Sequence, residues 1–547
     1  MSRRCWFGGR SSSCRGRTCP APRERRLATK HDEIPVLIVG GSLVGLSTSL
    51  LLASKGVPTL TVERHPGTAI HPRAAMFNQR TIEIYRSVGL EDEIVEASGL
   101  EFEQDGAIVS VESLAGKELE YYFRNVNEGY EPLSPSPRLF ITQIGLEPIL
   151  RRHADALGAR LEYSTELVSL EQDDDGVTAV VKSRDSADQR TVRAEYVIAA
   201  DGSKSPVRER LRIPLRGHPS FSNSITIYFR ADVKPLVGDR NLSVIYVFGP
   251  TLQGFFRFSL AGDAGFLVVN TTTDADGARN RDVWADLDDE RCAAYVREAL
   301  GAPDLALEIE NVQRWSSSAE WAERFQEGRV FLAGDAAHNM PPTGGFGGNT
   351  GVADGHNLAW KLAYVLHGHA GPGLLETYDA ERRPVGELTT EQAYTRYVLR
   401  LDPELGKEDI QPFVPDPPIE LGHRYRSSAV IPEADGDGEI HENPLEPSGR
   451  PGTRAPHVAL DGGSTLDLFG RGFVVLSASE GWCRAAEGAS LAAHRIDSPA
   501  FAEAYGTGTE GAVLVRPDGF IAWRARSAPE DGERELSSSL DRILDRA

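Results

Sequence analysis

A glycine-rich turn near the start of the chain has the residue types that phosphate binding requires. Its sequence, Gly40-Gly41-Ser42-Leu43-Val44-Gly45, follows an apolar run and precedes a stretch of helical character. Glycine lets the backbone approach a phosphate, and a helix start offers free N–H groups and the positive end of its dipole. We therefore expect a dinucleotide pyrophosphate here. Ser42 stands where the strict G-x-G-x-x-G pattern has glycine, and a simple tight turn is the alternative.

An acidic residue follows this turn at the spacing typical of dinucleotide sites. Glu63 lies 23 residues after Gly40, at the end of a second apolar run. An acid about 20 residues beyond the glycine turn binds the ribose hydroxyls in such sites. The spacing predicts that role for Glu63.

Two further acidic turns each follow a buried apolar run. The first covers residues 201–208, from Asp201-Gly202 to Arg208, and the second contains Gly334-Asp335 followed by His338. Each places an acid just beyond a strand end, where ligands bind in open parallel sheets. Taken singly, each turn is also compatible with a surface turn or a helix cap.

Residues 341–351 hold five glycines among eleven residues. That density is typical of backbone lying close to a ligand, since glycine has no Cβ to keep the ligand away. The stretch includes Pro342, Gly347, Gly348 and Asn349.

The elements that must position these motifs alternate between strand and helix. Residues 34–39 form a continuous apolar run, typical of a strand buried on both faces. Residues 43–55 indicate a helix that Gly56 ends, and residues 57–62 a second strand, which completes a βαβ unit. Further helices are predicted at 78–97, 145–158 and 352–366, and further strands at 176–181, 196–200 and 329–333.

Four aromatic or β-branched runs between residues 224 and 269 predict an antiparallel meander. They cover residues 224–230, 243–248, 254–258 and 265–269, with turn residues between them. Such a sheet can act as a platform for a flat, apolar ligand, or it can be an ordinary packing sheet. By location, Tyr228, Tyr246, Phe256 and Phe258 are candidates for the wall of a substrate site.

Composition limits the partners of the protein. The 547 residues include 80 acidic and 59 basic side chains, a net charge of −21, which argues against a nucleic-acid partner.

Residues 1–30 are basic, with eight arginines and one lysine against Glu24, and are expected to be a disordered extension; a transit peptide is the alternative. No apolar run is long enough for a transmembrane helix. Only Cys292 and Cys483 lie beyond the tail, which favours a reducing, cytoplasmic compartment.

The three motifs, in this order, resemble the FAD-dependent aromatic hydroxylases, the class A flavoprotein monooxygenases of the para-hydroxybenzoate and phenol hydroxylase type. The resemblance covers residues 34–400. The strings at 452–457, 467–470 and 515–519 resemble the C-terminal thioredoxin-like domain of the larger hydroxylases, here without a CxxC motif. Residues 40–47 followed by 63–67 look most like the aromatic polyketide hydroxylases of actinobacteria, particularly the tetracenomycin type.

The resemblance implies FAD as cofactor, NADPH or NADH as reductant and O2 as oxidant. One oxygen atom would enter an electron-rich ring of a polyketide or other phenolic compound through a flavin C4a-hydroperoxide. The flavin carries this chemistry, so no catalytic side chain is expected, and His338 is expected to pack rather than to act as a base. The implied cofactor-binding residues are Gly40, Gly41, Ser42, Val44, Gly45, Glu63, Arg64, Arg73, Gln143, Asp201, Gly202, Arg208, Gly334, Asp335, Pro342, Gly347, Gly348 and Asn349.

Other reactions remain open on this scaffold, namely Baeyer–Villiger oxygen insertion, C=C reduction and simple phenol hydroxylation. Halogenation is disfavoured because none of the seven tryptophans forms a Trp-x-Trp motif. The sequence thus predicts an α/β protein, a monomer or homodimer, that combines a Rossmann-like FAD-binding domain with an inserted antiparallel-sheet substrate domain and a thioredoxin-like domain. The expected division is a tail at 1–30, FAD-binding parts at 31–215 and 326–401, the sheet domain at 216–325, a linker at 402–450 and the C-terminal domain at 451–547.

Overall fold

A computed structural model of the chain describes residues 32–70, 75–274, 276–285, 287–434 and 438–546. The basic tail and Arg73 lie outside the described residues. None of the helices in the described ranges is both long enough and apolar enough to span a membrane.

The first part of the chain alternates between strands and helices. Its elements are β1 (Asp32–Val39), α1 (Leu43–Ala53), β2 (Thr59–Val62), β3 (Met76–Phe77), α2 (Gln79–Arg86), α3 (Glu91–Glu101), β4 (Ala107–Val111), β5 (Glu118–Phe123), β6 (Leu139–Phe140), α4 (Gln143–Ala156), β7 (Arg160–Glu162), β8 (Thr165–Asp173), β9 (Gly176–Ser183), β10 (Gln189–Ala199) and α5 (Pro206–Arg210).

The second part is dominated by strands. Its elements are β11 (Leu215–Arg230), α6 (Lys234–Val237), β12 (Leu242–Phe248), β13 (Leu252–Phe258), β14 (Ala264–Thr273), β15 (Arg279–Asn280), α7 (Asp289–Leu300), β16 (Glu308–Ala322), β17 (Gln326–Glu327), β18 (Val330–Leu332) and β19 (His338–Asn339).

The predicted βαβ unit is confirmed at the centre of the first sheet. β1 pairs in parallel with both β2 and β10, and β10 pairs in parallel with β18, so the chain returns to this sheet after residue 329. Val36, Leu37 and Ile38 are fully buried, because a central parallel strand is covered on both faces. The carboxyl ends of β1, β10 and β18 therefore lie side by side, and the three acidic or glycine-rich turns follow them directly.

The second sheet has the order β19-β16-β11-β14-β13-β12-β4-β5. Strands β12, β13 and β14 form a meander as expected, but β11 pairs with β14 and β16 rather than with β12. β4 joins the sheet by parallel pairing with β12, and β5 pairs with β4. Residues 107–123 thus belong to this sheet and not to the contiguous first FAD-binding part at 31–215, since pairing across more than 100 residues leaves no local pattern.

Two long helices follow, α8 (Phe346–Leu366) and α9 (Thr377–Arg400), and then the short α10 (Asp416–Leu421). α8 begins six residues before the predicted start at 352. Gly344 and Gly345 take positive φ angles of 90° and 68°, so the turn is complete before Gly347 and Gly348, which lie in the first helical turn. Half of the glycine run is therefore helix.

The segment at 402–450, predicted to be a linker, packs against its neighbours. Glu420 forms a buried ion pair of 2.6 Å with Arg138, and Tyr425 stacks on Phe520 with ring centroids 3.9 Å apart. Its described residues therefore join the first part of the chain to the C-terminal unit.

The C-terminal unit is a small mixed sheet between helices. Its elements are β20 (Ala459–Leu460), β21 (Gly463–Ser464), β22 (Val474–Ser477), α11 (Glu480–Gly488), β23 (Ala492–Arg495), α12 (Pro499–Ala504), β24 (Ala512–Val515), β25 (Ile521–Ala525) and α13 (Gly532–Ile543). β22 pairs in parallel with β23 and antiparallel with β24, and β24 with β25, the mixed pattern expected of the predicted thioredoxin-like fold.

A buried charge network attaches this unit to α9. Arg516 lies 2.6 Å from one oxygen of Glu381 and 2.9 Å from the other, and it also binds Asp518. The ammonium of Lys361 lies 2.7 Å from Glu381. Burial by itself would raise the pKa of Glu381, but Arg516 and Lys361 hold it well below its usual range.

Arg516→Met tests this network. The change leaves Glu381 with one cationic partner, so we expect a loss of about 3–5 kcal/mol of unfolding free energy in denaturant titration. The matched control is Arg484→Met, which removes an exposed 3.1 Å pair with Glu480 and should cost less than about 1 kcal/mol. Equal small losses of unfolding free energy in both variants would contradict the prediction that removing Arg516 leaves a buried, poorly compensated charge.

Candidate active site

The glycine turn lies against the end of β10 without room for side chains. Gly40 has φ +106°, and a Cβ there would lie 2.2 Å from the carbonyl oxygen of Ala200. A Cβ on Gly45 would lie 1.8 Å from the carbonyl oxygen of Gly40. The turn is therefore as tight as dinucleotide binding requires, with α1 beginning directly after it.

Ser42, the departure from the glycine pattern, has a defined partner. Its hydroxyl donates to Glu147 Oε1 at 2.6 Å, and Gln143 Nε2 donates to the same oxygen at 2.9 Å. The other oxygen of Glu147 accepts the backbone N–H of Ala69 at 2.7 Å. This fully buried carboxylate thus holds three segments around the turn. Sequence reasoning did not single it out, although its position four residues after Gln143 on α4 was a usable signal.

Glu63, which follows β2, binds the backbone of the glycine turn. Its carboxylate accepts the backbone N–H groups of Gly41 at 2.7 Å and His65 at 2.8 Å. Arg64 is exposed, and its carbonyl accepts a hydrogen bond from Arg184 at 3.0 Å. The acid therefore lies next to the glycine turn, as its spacing predicts.

The second turn is tied to the third by Arg208. This buried guanidinium donates to the carbonyls of Ser203 and Ala336, at 2.8 Å each, so it lies behind the two turns. Asp201 Oδ2 accepts the N–H of Val207 at 3.1 Å, while Oδ1 is buried with no hydrogen-bond partner among the described residues. Burial raises the pKa of Asp201.

The third turn packs on α1 through Gly334. A Cβ on this residue, which has φ +61°, would lie 2.8 Å from Val44 Cγ2. The neighbouring Asp335 is exposed. Asn349 uses its side chain to fix the start of α8, accepting from Asn78 N at 3.0 Å and donating to the carbonyl of Gly345 at 2.7 Å.

His338 is held away from the cavity by a buried hydrogen bond to Asp354. Its Nε2 lies 2.6 Å from Asp354 Oδ2, which also accepts the N–H of Gly334 at 3.0 Å, and Arg382 Nε donates to the other oxygen at 2.8 Å. Burial alone would raise the pKa of Asp354, but His338 and Arg382 bring it below its usual value. This arrangement supports the expected packing role of His338.

One cavity of about 590 Å³ connects the three turns with the second sheet. A volume of this size is typical of small-molecule sites. The predicted cofactor-binding residues that line it are Ser42, Val44, Gln143, Gly202, Asp335, Pro342, Gly347 and Gly348. The others in the described ranges, which are not part of its lining, are Gly40, Gly41, Gly45, Glu63, Arg64, Asp201, Arg208, Gly334 and Asn349.

The aromatic wall of the cavity differs from the predicted one at two positions. Tyr228 and Tyr246 line the cavity as expected. Phe256 is instead buried in the core on the other face of the sheet, with Phe258 packed against it. Successive strand residues point to opposite faces, so Phe255 and Arg257 of β13 line the cavity instead.

These features fit FAD. The glycine turn and the start of α1 suit the pyrophosphate, and the first turn of α8 presents Gly347 and Gly348, with their free N–H groups, to the cavity. A flat ring placed there faces the aromatic wall across the same cavity.

Gly40→Ala tests the fit. A methyl group at this position meets the Ala200 carbonyl and strains the positive φ, so the turn must open and we expect at least a tenfold loss in FAD affinity. The flavin-to-protein absorbance ratio after dialysis measures it. Gly67→Ala is the control, because a Cβ there has no neighbour within 4 Å, and a comparable loss in both variants would contradict the prediction.

Comparison with known proteins identifies the family. A model of the FAD binding domain family matches residues 33–393, and one of the aromatic-ring hydroxylase C-terminal family matches residues 448–547.

Relatives and solved structures cover nearly the whole chain. The 4-methyl-5-nitrocatechol 5-monooxygenase of a Burkholderia species is 50% identical over 95% of this chain and 99% of the relative. The tetracenomycin B2 monooxygenase-dioxygenase of Streptomyces olivaceus is 40% identical over 94% and 99%. The crystal structure of aklavinone-11 hydroxylase with FAD and aklavinone superposes with a TM-score of 0.88 at 40% identity, covering 94% of this chain and 99% of that one. The chain therefore belongs to the FAD-dependent aromatic-ring hydroxylases and is a monooxygenase of that family.

Proposed function

We propose that this monooxygenase hydroxylates a phenolic ring held between the first turn of α8 and the aromatic face of the second sheet. The observation that carries the proposal is the shared cavity, which Gly347 and Gly348 line on one side and Tyr228, Tyr246 and Phe255 on the other. A planar, apolar substrate matches such a wall in shape and polarity.

The residues around the three turns are proposed to hold FAD. The turn at 40–45 and the start of α1 bind the pyrophosphate, Glu63 the adenosine ribose, and Asp335 the ribityl or pyrophosphate region. Gly348 and Asn349 offer backbone groups to the pyrimidine edge of the flavin. Gly41, Ser42, Gly202, Arg208 and Gly334 are also proposed to contact FAD or to shape the turns that bind it. The hydrogen bonds of Ser42 to Glu147 and of Arg208 to the carbonyl of Ala336 support a shaping role for these two residues.

The chemistry that bound FAD would supply is the transfer of electrons from NADPH or NADH and the activation of O2. The protein positions the ring and keeps water away from the reacting atoms. We propose that the flavin carries the chemistry and that no side chain acts as the catalytic base.

Two substrate classes are proposed from the names of the relatives. One is a substituted catechol, by analogy with the nitrocatechol monooxygenase, and the other is a polyketide phenol, by analogy with the tetracenomycin and aklavinone enzymes. We also propose that the protein acts in the cytoplasm as a monomer or homodimer. Within the described part of the chain, the free thiols of Cys292 and Cys483 support the reducing compartment.

Consumption of NADPH and NADH with and without each class of phenol tests the function. We expect the substrate to accelerate consumption and the product to gain one oxygen atom as a ring hydroxyl, found by mass spectrometry and NMR. A lactone product indicates Baeyer–Villiger insertion and contradicts the proposal. Oxidation of the reductant that no phenol stimulates also contradicts it.

Asp335→Ala tests the cofactor assignment. Loss of this carboxylate at the cavity removes a hydrogen-bond acceptor for FAD, so we expect about a tenfold lower flavin occupancy at equal protein concentration. Asp304→Ala, at an exposed position away from the turns, is the control and should retain its flavin. Full occupancy in the Asp335 variant would refute the role of this residue.

A further inference from the structure

Arg257 is a buried cation in the wall of the cavity. The residue is 4% exposed, and its guanidinium carbon lies 3.6 Å from the ring centroid of Phe102 and 3.9 Å from that of Phe140. The guanidinium is thus held between two aromatic faces, a favourable contact for a cation that fixes its position. The side chains of β13 alternate between the two faces of the sheet, so Arg257 faces the cavity while Phe256 lies in the core.

No acid neutralises this charge by direct contact within the described residues. Arg257 forms no ion pair there, and its Nε is buried without a hydrogen-bond partner. Glu101 acts on it only from a distance, and one carboxylate oxygen of Glu101 already accepts the N–H of Thr142 at 2.8 Å. Burial lowers the pKa of Arg257 to about 9, so the side chain is still cationic at neutral pH.

Other buried arginines in the described ranges have polar partners. Arg208 donates to two backbone carbonyls. The arginines with almost fully buried side chains each contact a carboxylate, in the pairs Arg138–Glu420, Arg382–Asp354, Arg396–Asp416, Arg516–Glu381 and Arg524–Glu433. An unpaired buried charge destabilises a protein, so its retention at a cavity wall calls for a functional reason.

The neighbours of Arg257 on the same face are aromatic. Phe266 is its cross-strand partner on β14, and Phe255 lies two residues before it, opposite Tyr246 on β12. All of these residues line the cavity. A planar ring that lies along this wall brings a substituent at its edge to the guanidinium.

We propose that Arg257 is the anion-recognising residue of the substrate site and binds a negatively charged oxygen, a phenolate or a carboxylate, on the aromatic substrate. The ligand then supplies the missing counter-ion, through charge-assisted hydrogen bonds from the guanidinium. The inference rests on the proposed function for the location of the substrate. It adds that acidic phenols and aryl carboxylates bind in preference to neutral rings of the same shape.

Equilibrium binding to the oxidised holoenzyme, without reductant, tests this proposal separately from turnover. The probes are 4-nitrophenol, whose phenolate is visible by its absorbance, benzoate, and neutral 4-nitroanisole. On the unmodified enzyme we expect the pKa of bound 4-nitrophenol to fall by at least one unit, a tenfold preference for the phenolate. An unshifted pKa together with equal affinity for benzoate and 4-nitroanisole overturns the proposal, whatever the turnover assay shows.

Variants at Arg257 test whether this residue causes the preference for negatively charged probes. Arg257→Met, checked for flavin content, is expected to lose at least tenfold in affinity for the charged probes and to keep its affinity for 4-nitroanisole, whereas Arg257→Lys keeps most of the preference. Loss confined to benzoate identifies a carboxylate as the group bound, and loss confined to 4-nitrophenolate identifies a phenolate. Arg314→Met is the matched control, since this arginine lines the cavity but is exposed. An equal loss there, or none in Arg257→Met, overturns the assignment.

Discussion

The close crossing of α1 and α8 is the contact on which the site depends. A Cβ on Gly351 would lie 2.6 Å from Val44 Cγ2, and one on Gly355 would lie 2.3 Å from Thr48 Oγ1. The same Val44 contacts Gly334 of the third turn. Because these glycines let the side chains of Val44 and Thr48 pack directly against backbone, the first motif, the third motif and the glycine run meet around one cavity. A larger residue at any of the three would overlap Val44 or Thr48, so that these side chains or the elements that carry them would have to shift.

Buried charges connect this arrangement to the rest of the chain. Glu381 and Arg382 are adjacent on α9 but serve different partners. Glu381 binds Arg516 of the C-terminal unit, and Arg382 binds Asp354, which in turn accepts the N–H of Gly334. One turn of α9 thus joins the C-terminal unit to the turn that bears Asp335. Ion pairs of this kind contribute little net stability compared with apolar packing, but breaking one leaves a buried charge, so they select one arrangement of the parts.

Much of the fold follows from local sequence features. The run at 34–39, the glycine turn and the spacing to Glu63 are each set by neighbours along the chain, and the structure confirms the βαβ unit they predict. The start of α8 was placed too late because glycine is a poor helix former, yet here the packing against α1 stabilises the helix over that intrinsic preference. Glu147 was missed because its three partners come from separate segments, two of them far from it along the chain.

The aromatic runs mark the limit of sequence reasoning at the site. Their composition correctly indicates a sheet with an aromatic face, and Tyr228 and Tyr246 line the cavity. Which residues of β13 face it depends on register, and a shift of one residue exchanges Phe256 and Phe258 for Phe255 and Arg257. The joining of residues 107–123 to this sheet depends likewise on pairing with β12 over a long chain separation.

The sequence by itself determined the cofactor class, the order of the motifs and the kinds of element that carry them, because positive φ angles, two-sided burial and strand-end acids leave local signatures. Tertiary structure alone decided which residues share the cavity, that Arg208 and His338 lie behind it, and that Arg257 is buried without a counter-ion. Those outcomes depend on contacts between distant segments, whose geometry is set only when the two sheets and the helices pack together.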